Sequence, residues 1–300
     1  MTLLQLKYVI TVASSQTISK AAEELYITQP SLTASIKELE NEIGITIFQR
    51  TNKGIVLTME GEEFLSYARQ IIGQFQLLEE RYLGTAPVRH QFCVSTQHYS
   101  FAVEAFVALL KEYGGDTYDF RIRETQTYEI IEDVAKLKSE IGILYLNQFN
   151  GTVLRKLFRN HNLHFKQLFI AKPHVFVDIH NPLAQKKAVT LEDLAPYPRL
   201  SYEQGDHNAF YFSEEILSTL ESQKDIMVSD RATLFNLLIG LNGYTICSGV
   251  INEELNGKNI VSLPLLVDDY MEIGYITHKQ VVLSRFAALY LDALKKFAIG

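Results

Sequence analysis

The stretch TISKAAEELYITQPSLTASIKELE, residues 17–40, reads as two short helices around Tyr26-Ile27-Thr28. Thr17 can cap the first, whose inner positions are Ile18, Ala21, Ala22 and Leu25; the two alanines let a second helix approach closely. Thr28 can cap the second, with Pro30 in its first turn, where a missing N–H costs nothing. Leu32, Ile36, Leu39 and Ile43 follow at 4-3-4 spacing and form one apolar face. Pro30, Ala34, Lys37 and Asn41 point away from that face, with Gln29 and Thr33 on its shoulder. Polar side chains at the front of the second of two closely joined helices make the helix-turn-helix arrangement, in which that helix enters the major groove N-terminus first. Glutamine suits adenine, threonine suits base edges or phosphate, and Lys37 can neutralise a phosphate. An αα-hairpin with a solvated face uses the same spacing, so both readings stand at this point.

Beyond Gly44, residues 45–58 (ITIFQRTNKGIVLT) alternate as two short strands around Thr51-Asn52-Lys53-Gly54, a hairpin wing. Arg50 and Lys53 at its tip are placed to touch backbone or minor groove.

These residues resemble the LysR-type transcriptional regulators. The resemblance rests on Ser19-Lys20-Ala21-Ala22-Glu23-Glu24-Leu25, Thr28-Gln29-Pro30-Ser31-Leu32-Thr33, Ile36-Lys37-Glu38-Leu39-Glu40, Ile47-Phe48-Gln49-Arg50 and Leu57-Thr58-Met59-Glu60-Gly61, in order over residues 3–61. It departs at Ala34, where the family very often has arginine, and at Ser35, often glutamine, which leaves fewer direct contacts. The DNA-contacting set is expected to be Gln29, Pro30, Ser31, Thr33, Lys37, Arg50 and Lys53. Double-stranded operator DNA is the implied partner, and RNA polymerase a further one.

From residue 58 to about 84 no proline intervenes, and Phe64, Ala68, Ile71, Phe75, Leu78 and Tyr82 recur at 4-3-4-3-4 spacing, a short coiled-coil seam. Such a helix is about 40 Å long and can hold two reading heads roughly a helical turn of DNA apart. The same stripe could instead pack on its own chain; the resemblance implies the dimerising use, in a homodimer or homotetramer. Gly84-Thr85-Ala86-Pro87 ends the helix and marks a hinge.

The remaining chain alternates strands and helices: 90–95, 101–113, 119–125, 128–139 and 140–145, then 163–170, 174–178, 199–202, a helix near 209–220, 226–228, 232–241, 244–248, 271–277 and a closing helix at 284–297. The expected fold class is α/β with an N-terminal winged helix-turn-helix (1–58), a linker helix and hinge (59–86), and an effector domain (87–300). For that domain the resemblance implies two Rossmann-like lobes of the type 2 periplasmic-binding kind, the first about 87–161 and 269–300, the second about 162–268.

Open α/β sheets bind ligands beyond the carboxyl ends of strands, where helix N-termini favour anions. The candidate cleft residues lie at such junctions: Thr96, Gln97, His98 and Ser100; Thr125, Gln126 and Thr127; Tyr202, in Ser201-Tyr202-Glu203-Gln204; Ser229 and Asp230; and Ser248. Serine and threonine there also serve as ordinary helix caps. A small polar or anionic metabolite is the expected effector, with Arg231 a counter-charge unless Asp230 neutralises it. Residues 243–250 (GYTICSGV) have a valine where many relatives have proline, and are similar to members that control sulfur amino-acid metabolism.

Composition bounds the alternatives. The 300 residues are 47% hydrophobic and 21% charged, as in ordinary globular proteins, and no apolar run approaches the ~18 residues of a membrane span. The amphipathic start has no basic n-region of a signal peptide, and the two cysteines, Cys93 and Cys247, fit a reducing compartment; a cytoplasmic location is expected. With 28 basic against 35 acidic residues, net charge −7 gives no argument for nucleic acid, so the DNA reading rests on pattern. His161 and His164 lack companions at zinc-like spacing, and neither metal nor cofactor is expected. No Walker loop, nucleophile elbow or dinucleotide fingerprint occurs, so no enzyme activity is expected. The rival readings are a small-molecule binding protein without DNA function and an enzyme on the two-lobed fold.

Overall fold

The computed structural model describes all residues except 16, 52–53, 84–89, 115–117, 252–256 and 300, and gives the backbone alone for 50, 51, 77, 80, 81, 90, 298 and 299. The chain divides into two compact units, Met1–Gln91 with Lys136–Lys138, and Phe92–Ala135 with Ser139–Gly300.

In the first unit, helices α1 (Leu3–Ser15), α2 (Ile18–Glu24) and α3 (Gln29–Ile43) precede a two-stranded antiparallel wing, β1 (Phe48–Thr51) and β2 (Gly54–Leu57), and a long helix α4 (Met59–Leu83). Thr17 accepts the N–H of Lys20 and Thr28 accepts that of Ser31, as caps should. The fully buried Ala21 packs with Val12, Leu32 and Ile36, so α1, α2 and α3 close around one small core. The two expected helices around residues 26–28 therefore form, and Tyr26 turns the chain at φ 55°.

The linker seam is only partly as expected. Ala68 is buried, but its partners are Leu6 on α1 and Ile72. Ile71, Leu78 and Tyr82 are exposed at 43%, 55% and 70%. The first half of the helix therefore spends its apolar face on its own chain, because α1 lies along it, and the second half leaves that face open. The expected hinge at Gly84–Pro87 falls outside the described residues.

The second unit holds a five-stranded sheet of order β4-β3-β5-β12-β6, built from β3 (His90–Thr96), β4 (Tyr118–Glu124), β5 (Ile141–Leu146), β6 (Leu163–Ala171) and β12 (Met271–His278). Helices α5 (Ser100–Tyr113), α6 (Thr127–Ala135) and α7 (Gly151–Asn160) belong to this first lobe. Strand β3 runs parallel to β5, whereas β12 returns antiparallel between β5 and β6. The closing helix α10 (Arg285–Leu294) comes back to the same lobe: the buried Tyr290 hydroxyl donates to the carbonyl of Ala102 on α5 at 2.9 Å.

The second lobe carries an antiparallel sheet β10-β7-β11, of β7 (His174–Asp178), β10 (Thr245–Cys247) and β11 (Ile260–Pro264). A parallel pair, β8 (Arg199–Tyr202) and β9 (Asp225–Val228), is joined to it by the bridge Arg199–Tyr244. A short helix α8 (Leu191–Leu194) precedes that pair, and α9 (Arg231–Gly240) covers the lobe through Leu234 and Leu238.

Two expectations are corrected. The lobe boundary moves from about 162 to beyond Ala171, because β6 is hydrogen-bonded along the whole of β12 in the first sheet. Residues 209–220 do not form a helix. They hold one 3-10 turn, Phe210–Phe212, and Leu217 at φ 59°, because Glu214 and Glu215 both turn inward and accept backbone N–H groups, Glu214 from His98 and Glu215 from Tyr202. Helix α7 and strand β11 add to the elements expected from sequence.

Candidate nucleic-acid interface and effector cleft

The reading head is built from the back of α3 outward. Leu32, Ile36 and Leu39 are buried, and this fixes the opposite edge toward solvent. Gln29, Pro30, Ser31, Ala34 and Lys37 are exposed and Thr33 is half-buried, and Gln29, Pro30, Thr33, Ala34 and Lys37 line one shallow concavity. Ser19 of α2 donates to Gln29 Oε1 at 3.1 Å, which orients the amide at the front of the helix. The Gln29 side-chain amide and the Lys37 ammonium thus share one face, which suits base edges and phosphate together. On the wing, the backbone of Arg50 lies in β1, its side chain not being among those described, and Lys53 lies outside the described residues.

Wing and helix are locked together by motif residues whose work is structural. Glu40 accepts the amides of Ile47 and Phe48 at 2.7 and 3.1 Å. Thr58 caps α4 by accepting the N–H of Gly61 at 2.8 Å and donates to the carbonyl of Thr46 at 2.5 Å.

In the second unit the junctions at 95–100 and 125–127 of the first lobe face residues 202–215 of the second. Gln97 is buried and its amide is satisfied inside the first lobe: Nε2 donates to Thr127 Oγ1 at 2.6 Å, and Oε1 accepts Tyr99 and the N–H of Tyr145. The Thr96 hydroxyl donates to the carbonyl of Gln97, and the Thr125 hydroxyl to Glu129.

Several links cross the cleft. Glu214 accepts the N–H of His98 at 2.9 Å and lies 2.9 and 3.1 Å from His98 Nδ1, both side chains being 5% exposed. The His98 ring stacks on Tyr202 at 3.8 Å, and burial raises the Tyr202 phenol, which stays neutral. Gln204 accepts the N–H of Thr127 at 3.0 Å and donates to Glu214 at 3.3 Å. Arg231 pairs with Glu124 of the first lobe and donates to Ser100 at 3.4 Å; burial lowers its guanidinium to about 10. A charge-assisted bond such as that of Glu214 to His98 contributes about 1.5–3 kcal/mol.

The family model for the bacterial regulatory helix-turn-helix protein of the lysR family matches residues 3–62, and the LysR substrate binding domain matches residues 92–298. The chain belongs to the LysR family. Among relatives of this LysR protein, the regulator AlsR of Bacillus subtilis is 29% identical over 66% of the chain, and BsdA of the same organism 30% over 56%. Those matches span 63% and 55% of the relatives' own lengths, less than two thirds of either. The RuBisCO operon transcriptional regulator of Allochromatium vinosum is 26% identical over 87% of the chain and 84% of its own. In structure, a full-length OxyR variant from Pseudomonas aeruginosa superimposes with TM-score 0.64 at 19% identity, covering 98% of each chain. Full-length CbnR in complex with its target DNA gives 0.57 at 17%, covering 99% of each. These two likenesses speak for the fold. As a LysR-family member the chain carries the family's helix-turn-helix and substrate-binding modules.

The sequence-derived cleft set is brought together in part. Thr96, Gln97, His98, Ser100, Thr125, Gln126, Thr127 and Tyr202 lie at or beside the lobe junction. Ser229 and Asp230 are exposed, and Asp230 caps α9 by accepting the N–H of Thr233 at 2.8 Å. Ser248 is buried. Glu214, Glu215, Glu124 and Arg231 are among the charged residues of the junction, and reading residues 209–220 as a helix hides the first two. Cys93 and Cys247 are half-buried, and burial raises both thiols, which disfavours thiolate. Among the described residues no group of three or more metal-ligating side chains occurs, and no helix is long and apolar enough to cross a membrane.

Proposed function

We propose that the chain is a homodimeric or homotetrameric regulator that binds double-stranded DNA through α3 and the wing, under the control of a small polar or anionic metabolite held between the lobes. Gln29, Pro30, Ser31, Thr33 and Lys37 meet the duplex in the major groove, and Arg50 and Lys53 hold its backbone. The observation that carries this is the division of α3: its apolar side is sealed in the core and its polar front edge is open. The half-open face of α4, with Leu78 and Tyr82, supports self-association in a cytoplasmic regulator that meets RNA polymerase at the promoter.

An anionic group in the effector is supported by the His98 N–H, which already takes a carboxylate, that of Glu214, at 2.9 Å; Arg231 is neutralised by Glu124 of the first lobe. An effector that prefers one spacing of the lobes shifts the assembly's geometry and so the bend of the DNA. A duplex-binding titration on the chain's own upstream region tests the first part. A thermal-shift screen of amino acids and their sulfur-containing precursors tests the second, since a ligand bound to the folded state raises its melting temperature. The sulfur assignment has residues 243–250 alone behind it, and a screen in which other acids stabilise and these do not would remove it.

A further inference from the structure

Residues 203–215 leave the second lobe and lie along the first. Gln126 packs where a Cβ on Gly205 would come within 2.7 Å of its Oε1, and Gly205 holds φ 52°, a left-handed conformation open to glycine. His207 stacks on Tyr128 of α6 at 3.6 Å and 10°. Tyr211 stacks on Phe149 at 4.8 Å and 19°. Phe212 meets Tyr128 edge-on at 5.6 Å and packs on the first lobe's core of Ile130, Leu144 and their neighbours. Near its end the Glu214 carboxylate meets the N–H and ring nitrogen of His98 just before α5, and Glu215 returns the segment to the second lobe by accepting the N–H of Tyr202.

The other face of this segment walls a cavity of about 430 Å³ against β8 and β9: Gln204, Phe210 and Glu215 line it together with Arg199, Leu220 and Met227. Phe210, Leu220 and Met227 are exposed at 55%, 41% and 70%. The sequence of this region carries a helical pattern that the structure does not realise. A segment bound to the first lobe on one face, with a mixed polar and apolar cavity against its other face, has room to move off the first lobe.

We propose that residues 203–215 are an internal occupant of the effector cleft. Docked, they put the Glu214 carboxylate where an acidic ligand would meet the His98 N–H; released, they move toward the cavity they wall and leave that N–H open. The proposal rests on the reading that effector binds between the lobes, and adds that strap and effector exclude one another. The strap would then set the effector's apparent affinity, since ligand must compete with a carboxylate already tethered at the site.

The test uses the full chain, backbone hydrogen exchange read by mass spectrometry, and acetate as the probe. In Glu214→Ala, peptides over 203–215 and over 97–99 should exchange about tenfold faster or more, as local opening requires. Acetate, against chloride at equal ionic strength, should restore protection at 97–99 in that variant but not at 203–215, and should change neither in wild type. Tyr211→Ala, which loosens the aromatic anchor away from His98, should speed exchange over both stretches. Glu214→Leu, close in size and without an acceptor, serves if the alanine variant does not fold, and should open the same two stretches. Wild-type protection at 97–99 in these variants, or acetate acting equally on wild type, would overturn the strap. A metabolite that stabilises wild type while 203–215 stays protected would remove the strap and leave the cleft reading intact. Strap release in the variants, with every screened metabolite silent, would support the strap and count against the choice of effector class.

Discussion

One carboxylate oxygen of Glu40 accepts two successive amides of the wing, those of Ile47 and Phe48, at 2.7 and 3.1 Å. Ile47 is fully buried, so its N–H has no access to water. Glu40→Ala should destabilise the N-terminal unit by about 1–3 kcal/mol, the cost of an orphaned buried donor, while Glu40→Gln, which keeps the acceptor, should lose less. Chemical denaturation of the two variants checks this, and equal stability of alanine and glutamine variants would contradict it.

Gly61 lies in the first turns of α4, where a Cβ would overlap the carbonyl oxygen of Ile47. In an open helix, glycine to alanine gains roughly 1 kcal/mol. Here the collision is with backbone, which cannot swing away, so Gly61→Ala should lower the stability of the unit despite the better helix former. A raised melting temperature in Gly61→Ala would show that the wing and α4 are not held at this spacing.

Glu215 is buried beside Glu214, and burial, then the neighbouring charge, raises its carboxyl to about 8. In the unfolded chain it titrates near ~4.3, so between that pH and about 8 the folded state holds the extra proton. Its favourable contribution is therefore complete below the unfolded value and is lost as pH rises through about 8. Glu215→Gln keeps an acceptor for the N–H of Tyr202 without the ionisation, so its melting temperature should gain on wild type as pH rises from 5 to about 8. Parallel curves across that range would contradict the raised value.

Ile71, Leu78 and Tyr82 leave the distal half of α4 with an open apolar face. Leu78→Glu should shift the protein toward monomer in light scattering at micromolar concentration, with Ala68→Ser, whose site is filled by the chain itself, as the contrast. A dimer unmoved by Leu78→Glu would place the self-association elsewhere.

How far sequence reading reached depends on what held each element. The head was legible because caps, a proline and a 4-3-4 apolar stripe act within one helix of each other, and Thr17, Thr28 and Leu32 do in the structure what their spacing predicts. Strand β7 is legible through its apolar run Val175-Phe176-Val177. The segment 209–220 was misread because its conformation is set by distant partners: the His98 amide, the Tyr128 ring and the Phe149 ring, none visible in local periodicity. The α4 seam was half misread for the same reason, since only the fold reveals that α1 covers Ala68 and leaves Leu78 bare. Cleft residues chosen as small polar side chains at strand ends located the junction, yet Gln97 and Thr96 are engaged within the first lobe.

The most direct test is a salt-dependent binding titration of the full chain on a duplex from its own upstream region and on an unrelated duplex, for wild type, Gln29→Ala and Lys37→Ala. Wild type should prefer its own duplex by about a thousandfold or more. Lys37→Ala should weaken both duplexes and flatten the salt slope by about one unit for each head engaged, and Gln29→Ala should relax preference at one base position. Equal, salt-independent binding by all three proteins would contradict a front edge of α3 lying in a DNA groove.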